Sequence, residues 1–148
     1  MEKFDAIHCP LRGSVFIEAS AGTGKTHSIT SLVMRLVLEQ HVEMQHLLLV
    51  TYTNAATDEL KRKTRDRLTK ALRQLQGEFA DDEPGDQMLH EMGEKQRIDR
   101  EAAILQLRQA LLSFDELSVL TIHGFCQRVL RDRAFESGHL FTTALAAD

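Results

Sequence analysis

Ala19-Ser20-Ala21-Gly22-Thr23-Gly24-Lys25-Thr26 follows the apolar run Val15-Phe16-Ile17 and decides how the rest of the chain is read. Glycines at this density let backbone N–H groups crowd around phosphate oxygens where a Cβ would obstruct them. A lysine and a hydroxyl residue directly after them supply a cation for the β- and γ-phosphates and a ligand for Mg²⁺. Downstream, Ile29, Leu32, Val33, Leu36 and Val37 recur at helical spacing, which predicts a helix over about 25–40 with its N-terminus facing the anion. The apolar run before the loop predicts a short strand over about 14–18. The competing reading is a glycine-rich turn that caps an ordinary helix and leaves Lys25 at the surface. The order strand, loop, Lys-Thr, helix favours a phosphate loop, with Ala19 to Thr26 as the nucleotide-binding residues. In that reading Lys25 and Thr26 carry the chemistry and Thr26 holds the metal.

The chain has 148 residues, 43% hydrophobic and 27% charged, which suits a single domain with a core of its own. Its apolar stretches are far shorter than a membrane span, and Met1-Glu2-Lys3-Phe4-Asp5 has no apolar targeting core. Cys9 and Cys126 share no metal-ligand spacing, and His8 beside Cys9 finds no second cluster; a reduced, cytoplasmic compartment is expected. Net charge is −4, so affinity for nucleic acid cannot come from bulk charge. Its distribution is uneven. Residues 58–76 hold seven basic side chains against three acidic, and residues 78–101 hold nine acidic against three basic. The basic stretch suits phosphate contact, or else the two stretches form solvated helix faces that pair with each other.

Strand and helix patterns alternate along the chain. His46-Leu47-Leu48-Leu49-Val50-Thr51 reads as a buried parallel strand, and a long helix over about 54–76 follows with Ala56, Leu60, Leu68, Ala71, Leu72 and Leu75 on one side. Residues 79–86 read as a turn, and 88–113 as one helix carrying Ile98, Ala102, Leu105 and Leu112. Leu117-Ser118-Val119-Leu120-Thr121 is a further strand candidate, with a helix from His123 to Arg133. The alternation implies an α/β fold with a parallel sheet whose ligands lie at the carboxyl ends of the strands. Two later junctions would then share the edge used by the phosphate loop. Thr51-Tyr52-Thr53-Asn54 offers hydroxyls, an amide and a ring, and Thr121, His123 and Gly124 repeat the arrangement. Small donors at helix starts suit a nucleic-acid phosphate, and a ring suits stacking on a base. Equally open on these grounds is that Thr53 or Asn54 caps a helix, Tyr52 packs in the core and His123 is an interior histidine.

Taken in order, Glu18 to Thr26, Thr51-Tyr52-Thr53-Asn54-Ala55-Ala56-Thr57-Asp58-Glu59-Leu60 and Thr121-Ile122-His123-Gly124-Phe125-Cys126-Gln127-Arg128 resemble motifs I, Ia and Ib of the superfamily 1A, UvrD-like helicases. With Phe135-Glu136-Ser137-Gly138, the wording is most similar to the RecB family, the beta subunits of exodeoxyribonuclease V, from about residue 10 onward with a divergent stretch over 77–110. The resemblance implies a RecA-like P-loop NTPase fold: residues 1–148 as the N-terminal part of motor domain 1A, with a partial parallel sheet, flanking helices and a helical insertion over about 77–113. It implies an ATP- and Mg²⁺-dependent motor moving 3′→5′ on single-stranded DNA, acting at duplex ends beside RecC- and RecD-like subunits. By the same resemblance, Tyr52, Thr53, Asn54, Thr121 and His123 contact the DNA strand. A non-catalytic phosphate-loop module is the alternative.

The chain departs from that family at one point and leaves gaps. Arg12 stands in Pro10-Leu11-Arg12-Gly13 where the family carries an adenine-reading glutamine; a guanidinium stacks or pairs with phosphate but lacks the amide's matched donor and acceptor. Hydrolysis also needs a second Mg²⁺ ligand and a group that orients water. Asp115-Glu116 follows an apolar run, but that run is helical and a strand begins at Leu117, so the pair reads as a helix-to-strand turn. A self-contained small kinase or ATPase would require one of these acids to be catalytic. Walker B, the arginine finger and the nuclease carboxylates are expected beyond Asp148, with this chain the front end of a longer protein. Such a piece would bind nucleotide weakly, turn it over negligibly and expose an open sheet edge.

Overall fold

A computed structural model describes residues 4–18, 24–78, 86–95 and 97–133. The elements run α1 (Lys25–Gln40), β1 (Leu48–Thr51), α2 (Asn54–Gln76), α3 (Gln87–Glu94), α4 (Arg100–Leu112), β2 (Ser118–Thr121) and α5 (Ile122–Asp132), with short 3-10 turns at Met44–His46 and Phe114–Glu116. β1 and β2 pair in parallel without offset, Leu48 beside Ser118 through to Thr51 beside Thr121. This is a mixed helical and parallel-strand arrangement, and it agrees with the α/β expectation.

The core belongs mainly to the helices. Val33, Met34, Val37 and Leu38 of α1 meet Leu68 and Ala71 of α2, Met88, Leu89 and Met92 of α3, and Ala103, Leu107 and Ala110 of α4, with Phe114 and Leu117 closing the base of β2. α2 forms where expected because its ends are specified locally. Thr53 accepts a hydrogen bond from the Ala56 amide at its start, and Gly77, in the left-handed region at φ 76°, closes its last turn. Thr64 sits inside its apolar side, its hydroxyl donating to the Leu60 carbonyl at 2.7 Å.

Four expectations need correction. No strand forms at residues 14–18: Phe16 is 93% exposed, and among the described residues β1 and β2 pair only with each other. Three apolar residues become a strand only where a ladder takes up their backbone groups. The expected helix over 88–113 is two helices. Asp99 accepts a bond from the Ala102 amide at 2.9 Å and starts α4 afresh, and α4 buries Ala103, Leu107 and Ala110 while Leu105 and Leu112 face outward. In α1 the buried side is rotated from the predicted stripe: Met34 and Leu38 lie inside and Ile29 is exposed. His46 lies in a 3-10 turn, the strand starts at Leu48, and Leu48 and Val50 are each 45% exposed, so one face of β1 is uncovered here.

The segment before α1 is held by arginines. Arg35, buried in α1, pairs with Glu39 at 2.6 Å and donates to the carbonyls of Ala6 and Cys9 at 2.9 and 2.7 Å. Arg97 donates to the Ile7 carbonyl at 3.0 Å. Cys9 is buried and Cys126 exposed, both free. Among the described residues no helix is long and apolar enough to cross a membrane.

Because Leu107 is fully buried in the helical core, Leu107→Ala should cost about 2–5 kcal/mol of unfolding free energy in urea titration. A loss below about 1 kcal/mol would contradict the helix-borne core.

Candidate phosphate-binding edge

Parallel strands in equal register end side by side, so Thr51 and Thr121 stand next to each other where α2 and α5 begin. Each junction is built around a threonine. On the first, Thr51 Oγ1 lies 2.6 Å from Thr57 Oγ1 and donates to the Thr53 carbonyl at 3.1 Å, while Thr53 Oγ1 caps α2 by accepting from the Ala56 amide at 3.1 Å. On the second, Thr121 Oγ1 caps α5 by accepting from the Gly124 amide at 3.1 Å. A Cβ on Gly124 would come within 3.3 Å of that same oxygen, so glycine keeps the cap tight. Two helix N-termini thus open from one edge, and their unpaired N–H groups favour an anion there.

Exposure discriminates between the readings of these residues. Tyr52 is 80% exposed and His123 is exposed, so within this chain neither the core-packing alternative nor the interior histidine is found. Asn54, also exposed, is the first residue of α2; the capping role falls to Thr53 instead. The structure therefore brings Tyr52, Thr53, Asn54, Thr121 and His123 to neighbouring junctions.

Of the phosphate loop itself, Ala19, Ser20, Ala21, Gly22 and Thr23 lie outside the described residues, as do Phe135 to Gly138. Gly24 adopts φ 85°, a conformation open to glycine at little cost, and precedes α1 without any side-chain cap. Lys25 and Thr26 are the first two residues of that helix, Lys25 exposed and Thr26 half-buried. An uncapped helix start carrying a cation and a hydroxyl has the donors a magnesium-bound triphosphate needs. Arg12 is exposed in the segment ahead of it.

Just past Thr26, the His27 carbonyl is surrounded by donors. Thr30 Oγ1 donates to it at 3.0 Å, Ser31 Oγ at 2.7 Å, and Arg67 Nη1, from α2, at 3.2 Å. Partial burial holds the His27 imidazole below its ordinary pKa of 6.5; the Arg67 charge adds to this and Asp86 opposes it.

The basic stretch of α2 is largely engaged with carboxylates. Arg62 pairs with Asp66 and Lys63 with Glu59, each one turn along α2, at 2.9 and 2.5 Å. Arg65 reaches Asp115 at 3.3 Å and lies over the Phe114 ring at 4.6 Å, and Arg67 reaches Asp86 at 2.9 Å. Of the expected partners in 78–101 only Asp86 appears in these four pairs, the rest being local or from the turn before β2. Asp115 and Glu116 occupy the 3-10 turn before β2. A four-residue strand spans about 13 Å, which puts both acids at the end of the sheet opposite Thr51 and Thr121. The turn reading holds. Among the described residues no group of His, Cys, Asp and Glu is arranged to hold a metal.

Arg35 and Arg67 were not foreseen as structural arginines. Arg35 carried a signal, an arginine inside an apolar stripe with Glu39 one turn on; Arg67, one cation among seven, carried none.

Comparison with known proteins gives the family of the chain. The model of the UvrD/REP helicase N-terminal domain matches residues 1–147. The RecBCD enzyme subunit RecB of Escherichia coli K12 is 39% identical over 99% of this chain, and that of Haemophilus influenzae 38% identical over 96%. RecB of Chlamydia pneumoniae is 40% identical over 81%. The chain matches only 11–13% of the length of these relatives.

The depressed pKa of His27 has a signed consequence. Below pH 6.5 the unfolded chain takes up this proton before the folded one, so stability is full above that pH and falls as pH drops toward the folded pKa. Urea midpoints at pH 7.5 and 5.5 should show a smaller acid loss in His27→Gln than in the parent; equal losses would contradict the assignment.

Proposed function

We propose, for a chain that belongs to the UvrD/REP helicase N-terminal domain family, that it is the ATP-binding portion of a RecB-type DNA helicase subunit. The family is that of a helicase N-terminal domain, and the proposal adds what this chain's own residues do. In this reading the backbone of residues 19–24 and the start of α1 cradle the triphosphate, Lys25 neutralises its outer phosphates and Thr26 ligates Mg²⁺. Hydrolysis of ATP bound there would supply the free energy of the cycle, and Mg²⁺ would neutralise the phosphate charge. Tyr52, Thr53, Asn54, Thr121 and His123 hold the single strand at the neighbouring junctions.

The observation that carries the reading is the shared edge, where Thr51 and Thr121 pair in register and α2 and α5 both start. An exposed tyrosine beside two helix N-termini is suited to stacking and phosphate contact at one place. Asp115 and Glu116 stand in the turn at the other end of β2, and in this reading the acid that orients water comes from other residues. We place the chain in domain 1A, with α3 and α4 forming an insertion over about 77–113. The parent would move 3′→5′ on single-stranded DNA, degrade ends by a separate nuclease activity, and act in recombinational repair in the cytoplasm beside RecC- and RecD-like subunits.

Isothermal titration with Mg-ATPγS should show binding that Lys25→Ala abolishes while the circular dichroism spectrum stays unchanged; retained binding would refute the phosphate-loop assignment. Tyr52→Ala should weaken binding of a labelled single strand by about 1–3 kcal/mol. Unchanged affinity would remove the ring from the DNA path.

A further inference from the structure

We propose that Arg67 is a positioning residue for the phosphate loop, acting through the first turn of α1 and locked in place by Asp86. The inference rests on the nucleotide-binding reading above and deepens it. Arg67 lies on α2, yet its guanidinium reaches three groups of α1: Ser31 Oγ at 2.7 Å, the His27 carbonyl at 3.2 Å and Thr30 Oγ1 at 3.4 Å. Its other terminal nitrogen pairs with Asp86 at 2.9 Å, and both side chains are largely buried. Asp86 in turn is held by its own role at the start of α3, where its other carboxylate oxygen accepts from the amides of Met88 and Leu89. Its backbone amide donates to Gln74 of α2 at 2.6 Å.

One peptide unit transmits the effect. The carbonyl of His27 and the amide of Ser28 belong to the same planar group, so fixing one fixes the other. That amide donates to the Gly24 carbonyl at 2.9 Å. The clamp at His27 therefore reaches the last residue of the glycine loop across a single rigid plane, with Lys25 and Thr26 inside the turn it closes. Only a planar fork satisfies Ser31, His27 and Asp86 together, which a lysine's single ammonium group cannot match.

The energetics favour a geometric role over a merely stabilising one. Arg67 Nε is buried and has no hydrogen-bond partner among the described residues. Burying a charge with one donor unmet offsets much of what its ion pair contributes, so such a group adds little net stability while still restricting geometry.

The test uses the full chain and compares Arg67→Gln with Ala110→Gly, a destabilising change on the buried side of α4. Mg-ATPγS titration should show the dissociation constant of Arg67→Gln raised about five- to tenfold, with Ala110→Gly near the parent value. Hydrogen exchange at the Ser28 amide should accelerate in Arg67→Gln alone. If both variants lose affinity equally, or Ser28 is unchanged, the positioning role is overturned and the nucleotide reading stands. An absence of binding by the parent chain overturns that reading, and this role with it. Should Arg67→Gln fail to fold, Asp86→Asn, which keeps the helix cap but removes the lock, carries the same comparison.

Discussion

Zero offset between β1 and β2 is the constraint on which the site depends. Side chains alternate along a strand, so a slip of one residue would send Thr121 to the opposite face from Thr51 and separate the two junctions by a full step. The pairing is continued below the strands by the Ser118 amide, which donates to the Leu47 carbonyl at 3.3 Å. Phe114 and Leu117, both buried, anchor the approach to β2 against the helical core. The register is thus set by packing at one end of the sheet and expressed as chemistry at the other.

Distribution of apolar surface explains why helices dominate the core. α1, α2, α3 and α4 bury their apolar sides against one another, while Leu48 and Val50 of β1 remain half-exposed and α5 buries none of its residues. Val129 and Leu130 of α5 are among the apolar side chains left at the surface. A parallel pair is ordinarily covered on both faces, so this side of the sheet carries unsatisfied apolar area while the helical side is complete. The buried arginines belong to that complete side: Arg35 ties the N-terminal segment to α1, and Arg67 ties α1 to α2 and to the start of α3.

Much of this was legible where local chemistry and periodicity agreed. The bounds of α2 follow from Thr53 and Gly77, and the bounds of α1 from Gly24 and a sustained apolar period. The break between α3 and α4 was missed because helical spacing of Ile98, Ala102, Leu105 and Leu112 outweighed Gly93 and the capping signal of Asp99, although only Ile98 among them packs against the core. The phase of α1 differs from the predicted stripe for a related reason: Met34, outside that stripe, fills the core as well as the leucines do. Val15-Phe16-Ile17 has strand-like residues but no ladder among the described residues to join. At the site, residue types predicted junctions rich in donors, yet nothing in the sequence distinguishes a buried Tyr52 from an exposed one. Burial depends on which neighbours arrive, and that is a property of the whole packing.

The account turns on an anion being held at the start of α1, which stands against Arg67, about 20 Å of helix along α2 from Asn54, and so does not share the edge of Thr51 and Thr121 as the sequence pattern led one to expect. Amide NMR of the isotopically labelled chain, titrated with Mg-ATPγS, tests this most directly. The largest shifts should fall on residues 24–28, with none along α4. Shifts concentrated instead in the shallow groove between Arg65, Phe114 and Asp115, or no shift at Lys25 and Thr26, would contradict it.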